Sequence, residues 1–154
     1  MTWNAKIIGD KQLQARLKDI DKSLLTRQIM GKIALDAVTQ IKDRTLAGKD
    51  SKGLGFTPYS GLYLAYKKER GGKYFGNKVD LFNDGNMFGS MQPVTVTDRT
   101  AIIGFTKPKE ALKASGHQEG SRRLPRRKFF GMDNAGRARA VDLLNDHLRK
   151  VLAR

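Results

Sequence analysis

Apolar residues recur every four positions from Leu25 through Ile29, Ile33 and Ala37 to Ile41, with Met30, Ala34 and Val38 beside them. Four-residue spacing keeps side chains on one side of a 3.6-residue turn. The run therefore predicts a helix of about 20 residues with a wide apolar stripe suited to covering a sheet. The other face carries Arg27, Lys32, Asp36, Gln40 and Asp43. Asp21 or Ser23 supplies a starting cap and Gly48 a stop. Upstream, Trp3 to Ile8 reads as a short strand ended by Gly9. Asp10 then caps a segment with Leu13, Leu17 and Ile20 at helical spacing.

Further along, the period changes. Val94-Thr95-Val96-Thr97 alternates and is β-branched, Asp98-Arg99 forms a turn, and Thr100 to Phe105 resumes the apolar pattern, which predicts a hairpin. A last helix starts at a cap on Asp133 or Asn134 and turns Val141, Leu144, Leu148 and Val151 toward the core. Between these, Tyr59 to Arg70 predicts a short helix with Leu62, Tyr63 and Tyr66 inward, and Asn86 to Met91 a single turn carrying Met87, Phe88 and Met91 inward. Residues 108–114 predict another short helix, and Phe129-Phe130-Gly131 a brief strand. Residues 48–58, 71–86 and 115–128 read as loops rich in glycine or charge. The expected fold is α+β: a small antiparallel sheet packed by a long N-terminal helix and a C-terminal helix, with extended loops, forming one domain over residues 1–154. No internal repeat divides the chain.

Charge narrows the choice of partner. The 154 residues include 30 Lys and Arg against 15 Asp and Glu, a formal charge of +15. Both halves are basic: residues 1–77 hold 15 basic and 7 acidic residues, residues 78–154 hold 15 and 8. A negatively charged partner is expected, and nucleic acid is the commonest one. The chain has no cysteine, which excludes disulfides, thiolate metal sites and a cysteine nucleophile. No apolar run approaches the ~20 residues of a membrane span, and Met1 to Ile8 lacks the apolar core of a signal peptide. The expectation is a soluble protein that does not engage a membrane.

Candidate chemistry is sparse. His117 lies near Glu119, but neither a nucleophile with its base nor a third metal ligand accompanies them. His147 falls between apolar positions of the last helix. Asp80 and Asp84 are the closest useful carboxylate pair, weak as a metal site. Gly71 to Gly76 lacks the spacing of a phosphate loop, and Gly53-Leu54-Gly55-Phe56 is followed by Pro58, which breaks the strand a carboxylate-binding loop needs. No enzyme, metal or cofactor is expected. The densest feature is Arg122-Arg123-Leu124-Pro125-Arg126-Arg127-Lys128, five cations in seven residues. Their mutual repulsion is relieved by phosphates or by carboxylates of a neighbouring subunit; a solvated loop tip is the third possibility. Pro125 argues against a recognition helix there.

The order of motifs resembles the virion morphogenesis, or tail-completion, family of tailed bacteriophages. Its members show a helical first third, then a loop of the kind D-x-x-G-x-x-F/W-x-P-L/Y-S, represented by Asp50 to Ser60. A helix rich in Tyr and Lys follows, here Leu62 to Arg70. The pattern L-x-x-T/D-G-x-L/M-x-x-S is matched over Leu81 to Met91, and the hairpin ends at Ile103-Gly104. His117-Gln118-Glu119-Gly120 is similar to the family's His-x-x-Gly, and Leu124 to Gly131 to its arginine segment. Asp84 stands where Thr is frequent, and Lys128 where Pro is common. The likeness spans residues 20–150. It implies a structural virion protein at the head–tail junction, assembled in the host cytoplasm as a homo-oligomeric ring, most often a hexamer, with other neck and tail proteins as partners. In this frame Arg122, Arg123, Arg126, Arg127 and Lys128 face double-stranded DNA or an adjacent subunit. Pro58, Tyr59, Phe88, Phe129 and Phe130 anchor the loops. The rival expectation is a sequence-independent nucleic-acid-binding protein that works alone.

Overall fold

A computed structural model of the chain describes residues 25–69 and 78–152 and the strand Ala5–Lys6. The helical pattern of Leu13, Leu17 and Ile20 and the glycine pair at 71–72 lie outside the described residues.

The long stripe forms α1 (Arg27–Leu46). Its start differs from the expected cap: the Thr26 hydroxyl accepts from the Ile29 backbone N–H, and Leu25 is already outside the helix. The other end is as the sequence implies, with Gly48 in the left-handed region just beyond the last turn. Leu25, Ile29, Ile33, Ala34, Ala37, Val38 and Ile41 are all buried. Thr45 is buried too, and its hydroxyl donates back to the Ile41 carbonyl.

The hairpin consists of β2 (Met91–Val96) and β3 (Ala101–Phe105), antiparallel, with Met91 opposite Phe105 and Val96 opposite Ala101. The register shifts between Pro93 and Thr95, a bulge at the point where proline removes an N–H. The Thr97 hydroxyl accepts from the Arg99 and Thr100 N–H groups and closes the turn. β1 (Ala5–Lys6) pairs antiparallel with β3, so the order is β1-β3-β2 and β2 forms an edge among the described residues. α1 covers this sheet, and α5 (Asn134–Leu152) packs chiefly on α1. Ala140 and Leu144 of α5 meet Leu25, Ile29 and Ile33 in one apolar cluster. Asp133 caps α5 by accepting from the Gly136 N–H. The α+β architecture is as expected.

Three short helices frame the rest: α2 (Gly61–Glu69), α3 (Asn86–Ser90) and α4 (Pro108–Glu119). α3 turns Met87 and Phe88 inward, and Met91 follows them into the core. Two expectations need correction. α4 begins at Pro108 as predicted but continues five residues past the predicted end at 114, through Gly116, so residues 115–119 are helix and not loop. Phe129-Phe130-Gly131 is irregular chain and not a strand. Phe129 is nonetheless the most deeply buried aromatic residue, in edge contact with the rings of Phe88 and Phe130. Arg44, from the last turn of α1, donates to the Phe129 and Gly131 carbonyls (2.8 and 2.7 Å) and pairs with Asp133. That donor set replaces the ladder a strand would have supplied. Phe129→Ala is expected to cost about 3–5 kcal/mol of stability, measured by urea unfolding; a loss below about 1 kcal/mol contradicts this packing.

Candidate functional site

The arginine cluster leaves α4 through Gly120, whose φ is +75°. An added Cβ there would come within 2.9 Å of the Arg126 backbone nitrogen, so the chain doubles back tightly only with glycine. Ser121 and Leu124 exchange backbone hydrogen bonds across the tip, and the Arg127 N–H donates to the His117 carbonyl. Gln118 clamps the return strand from the side, donating to and accepting from the Phe130 backbone. Arg122, Arg123 and Arg126 are exposed and Lys128 half-buried.

Arg127 departs from the expected outward set: it is only 3% exposed. The Phe129 N–H donates to the Arg127 carbonyl in a tight turn about Lys128, and the two residues on either side of that turn, Arg127 and Phe129, are both buried. The guanidinium donates through Nε to the Thr57 carbonyl and through Nη2 to the Pro58 carbonyl, both at 3.0 Å. It also lies over the Tyr59 ring, 5.0 Å from its centroid. Burial lowers its pKa, and the neighbouring Tyr59 and Tyr63 act in the opposite direction. Of the expected anchors, Phe88 and Phe129 are buried and Tyr59 and Phe130 half-buried, whereas the Pro58 ring is exposed. Pro58 anchors through its carbonyl oxygen.

Tyr59 links this knot to the next segment. Lys67 sits on the same ring, 5.1 Å from its centroid. The Tyr59 hydroxyl donates to Asp80 and accepts from the Leu81 N–H. Asp80 also takes the Lys67 ammonium at 2.8 Å and the Phe82 N–H. Burial, and next the Asp80 charge, push the Tyr59 hydroxyl well above its ordinary range. The inward face of α2 is therefore Tyr63 and Lys67, one turn apart and in phase with Tyr59. This corrects the expectation for Leu62, which is 88% exposed, and for Tyr66, also exposed. Asp80 is committed to an internal ion pair. Asp84 instead accepts from the Asn86 N–H at the start of α3, which holds its carboxyl below the usual range. Among the described residues no group of three or more His, Asp or Glu side chains is placed to hold a metal.

A cavity of about 500 Å³ opens between α2, residues 81–88, α4 and the arginine loop. Tyr63, Leu81, Met87, Phe88 and Leu124 give it an apolar lining; Asp84, Lys113, His117, Arg123 and Arg127 add the charged and polar positions. Leu81 holds the left-handed region at φ +53°. His117 belongs to helix α4 and not to a loop, and its Nδ1 is buried without a hydrogen-bond partner. Burial, and next the Arg127 charge, lower its pKa to about 4, so it is neutral at pH 7; Glu119, two residues on, is exposed. His147 is half-buried on α5. The cavity escaped sequence reading because its walls come from four separate segments. One signal was available: Phe129-Phe130 directly after the cations marks where the chain enters the core.

Arg127→Ala removes the shared donor of the Thr57 and Pro58 carbonyls together with the packing on Tyr59, and is expected to cost about 2 kcal/mol, whereas Arg126→Ala stays within about 0.5 kcal/mol; urea unfolding of both variants checks the contrast. His117 adds a pH dependence. Its folded pKa of about 4 lies below the ordinary 6.5, so its contribution is complete above pH 6.5 and is lost as pH falls from there toward 4. The span corresponds to about 3 kcal/mol. His117→Leu removes that slope, read as the difference between the stability–pH curves of the two proteins.

No protein-family model, no curated protein and no solved structure matches the chain, so its function is argued from the arrangement of its own residues.

Proposed function

We propose that this chain is a structural virion protein of a tailed phage or prophage, a tail-completion or neck component that joins the tail to the DNA-filled head without catalysis. One observation carries the reading: the three segments behind the family resemblance meet in a single knot. Arg127 of the Leu124–Gly131 segment binds the carbonyls of Thr57 and Pro58 from the first motif. Tyr59 of that motif accepts from Leu81 of the second, and Phe129 meets Phe88. Joined this way, segments far apart in the chain support reading the three motifs as one structural unit.

The protein works as a homo-oligomeric ring, most often a hexamer at this position, among other neck and tail proteins. Exposed Leu54, Leu62 and Leu112 offer apolar contact points between neighbours. Arg122, Arg123 and Arg126 present charge to the DNA channel or the next ring without reading sequence. Deleting the coding sequence from its phage genome is expected to leave unjoined heads and tails in electron micrographs and to abolish plaques. Joined particles at normal titre overturn the reading.

The exposed arginine tip also favours a second reading, a nucleic-acid-binding protein acting alone. No carboxylate among the described residues pairs with Arg122, Arg123 or Arg126, which leaves them open to phosphates. That reading requires the isolated protein to bind duplex DNA with an affinity that falls steeply with salt.

A further inference from the structure

The cavity beside the arginine loop serves no catalytic purpose in either reading. We propose that it is a docking pocket for an acidic segment of a partner protein, which inserts one aromatic side chain and pairs its carboxylates with the basic rim. The inference needs no virion context and stands apart from the proposed function.

Size comes first. About 500 Å³ falls within the ~300–1,000 Å³ typical of pockets that enclose a ligand, and it is ample for one aromatic ring. The lining favours such a ring. Leu81, Met87, Phe88 and Leu124 supply apolar surface, and Tyr59 and Tyr63 form a tilted pair with centroids 4.8 Å apart. A further ring extends that aromatic cluster. His117, neutral at pH 7, keeps its part of the wall uncharged.

Charge selects the occupant. Of the cations lining the cavity, Lys113 pairs with Glu110 and Arg127 holds the Thr57 and Pro58 carbonyls, while Arg123 is exposed and in no ion pair among the described residues; Asp84 is the one carboxylate of the lining. Arg122 and Arg126 stand exposed on the same loop. At this rim the occupant must bring an excess of carboxylates, which a chain of formal charge +15 does not supply. Duplex DNA satisfies the rim, but its phosphates gain nothing from an apolar pocket floor. An acidic polypeptide with a large side chain satisfies both parts: rim pairs steer the encounter, and the buried ring holds the complex.

The test uses the full chain and a fluorescent peptide of glutamates and aspartates around one phenylalanine, read by anisotropy. Binding is expected to saturate, and to weaken about tenfold when the phenylalanine becomes alanine or the flanks become lysine. Asn83 is exposed at the cavity and makes a suitable blocking position. Asn83→Trp should weaken the peptide about tenfold with an unchanged unfolding midpoint, as should Arg122→Glu combined with Arg123→Glu, both exposed on the loop. The proposal is overturned if no saturable binding occurs up to about 1 mM, if the alanine peptide binds equally well, or if Asn83→Trp has no effect. Stronger binding of a short DNA duplex that displaces the peptide also overturns it, assigning the rim to nucleic acid.

Discussion

The fold around the cavity depends on a cation turned inward. Arg127 stands in a crowded run of positive charge, yet its guanidinium is buried against two carbonyl oxygens and a tyrosine ring. Long irregular segments leave backbone acceptors without ladder partners, and a buried carbonyl without a donor is costly. Arginine answers this with several donors on one planar group. Arg44 does the same from α1, holding the Phe129 and Gly131 carbonyls. Between them the two guanidiniums fix the chain from residue 127 to 133 with no sheet to help.

The carboxylates follow a complementary rule. Asp80 meets Lys67, Asp133 meets Arg44, Asp36 meets Arg139 and Glu110 meets Lys113. Asp80 and Glu110 are themselves buried. These four carboxylates serve structural pairs, whereas Asp43, Glu69, Asp98, Glu119 and Asp142 are exposed, as are Arg122, Arg123 and Arg126. Each pair removes one cation with one anion, so the excess of +15 is left to act at long range, and its attraction of anionic partners is strengthened at low salt. Lys67 and Asp80 illustrate the structural side: removing either partner leaves the other charge buried.

Regular elements with an apolar period were legible in the sequence. The four-residue spacing from Leu25 to Ile41 became the buried face of α1, the β-branched alternation became the hairpin, and Met87, Phe88 and Met91 pointed inward as their spacing implied. Where the inward face is polar, periodicity misleads. α2 buries Lys67 because Asp80 waits for it, so Leu62 was assigned to the wrong side. α4 runs through Gly116 because packing outweighs the weak helix preference of glycine. The site itself was half legible. The arginine loop was visible as a dense charge run, but the inward turn of Arg127 follows from acceptors some seventy residues away. The cavity depends on four segments meeting, which no local pattern encodes.

One feature of the hairpin bears on how the protein behaves at high concentration. β2 forms the sheet's outer edge among the described residues, and it carries a proline and a bulge where an incoming strand would need a regular row of donors. Both features blunt this edge against strand addition. Crowding many copies together therefore gives no regular template along β2 for one chain to extend the sheet of another.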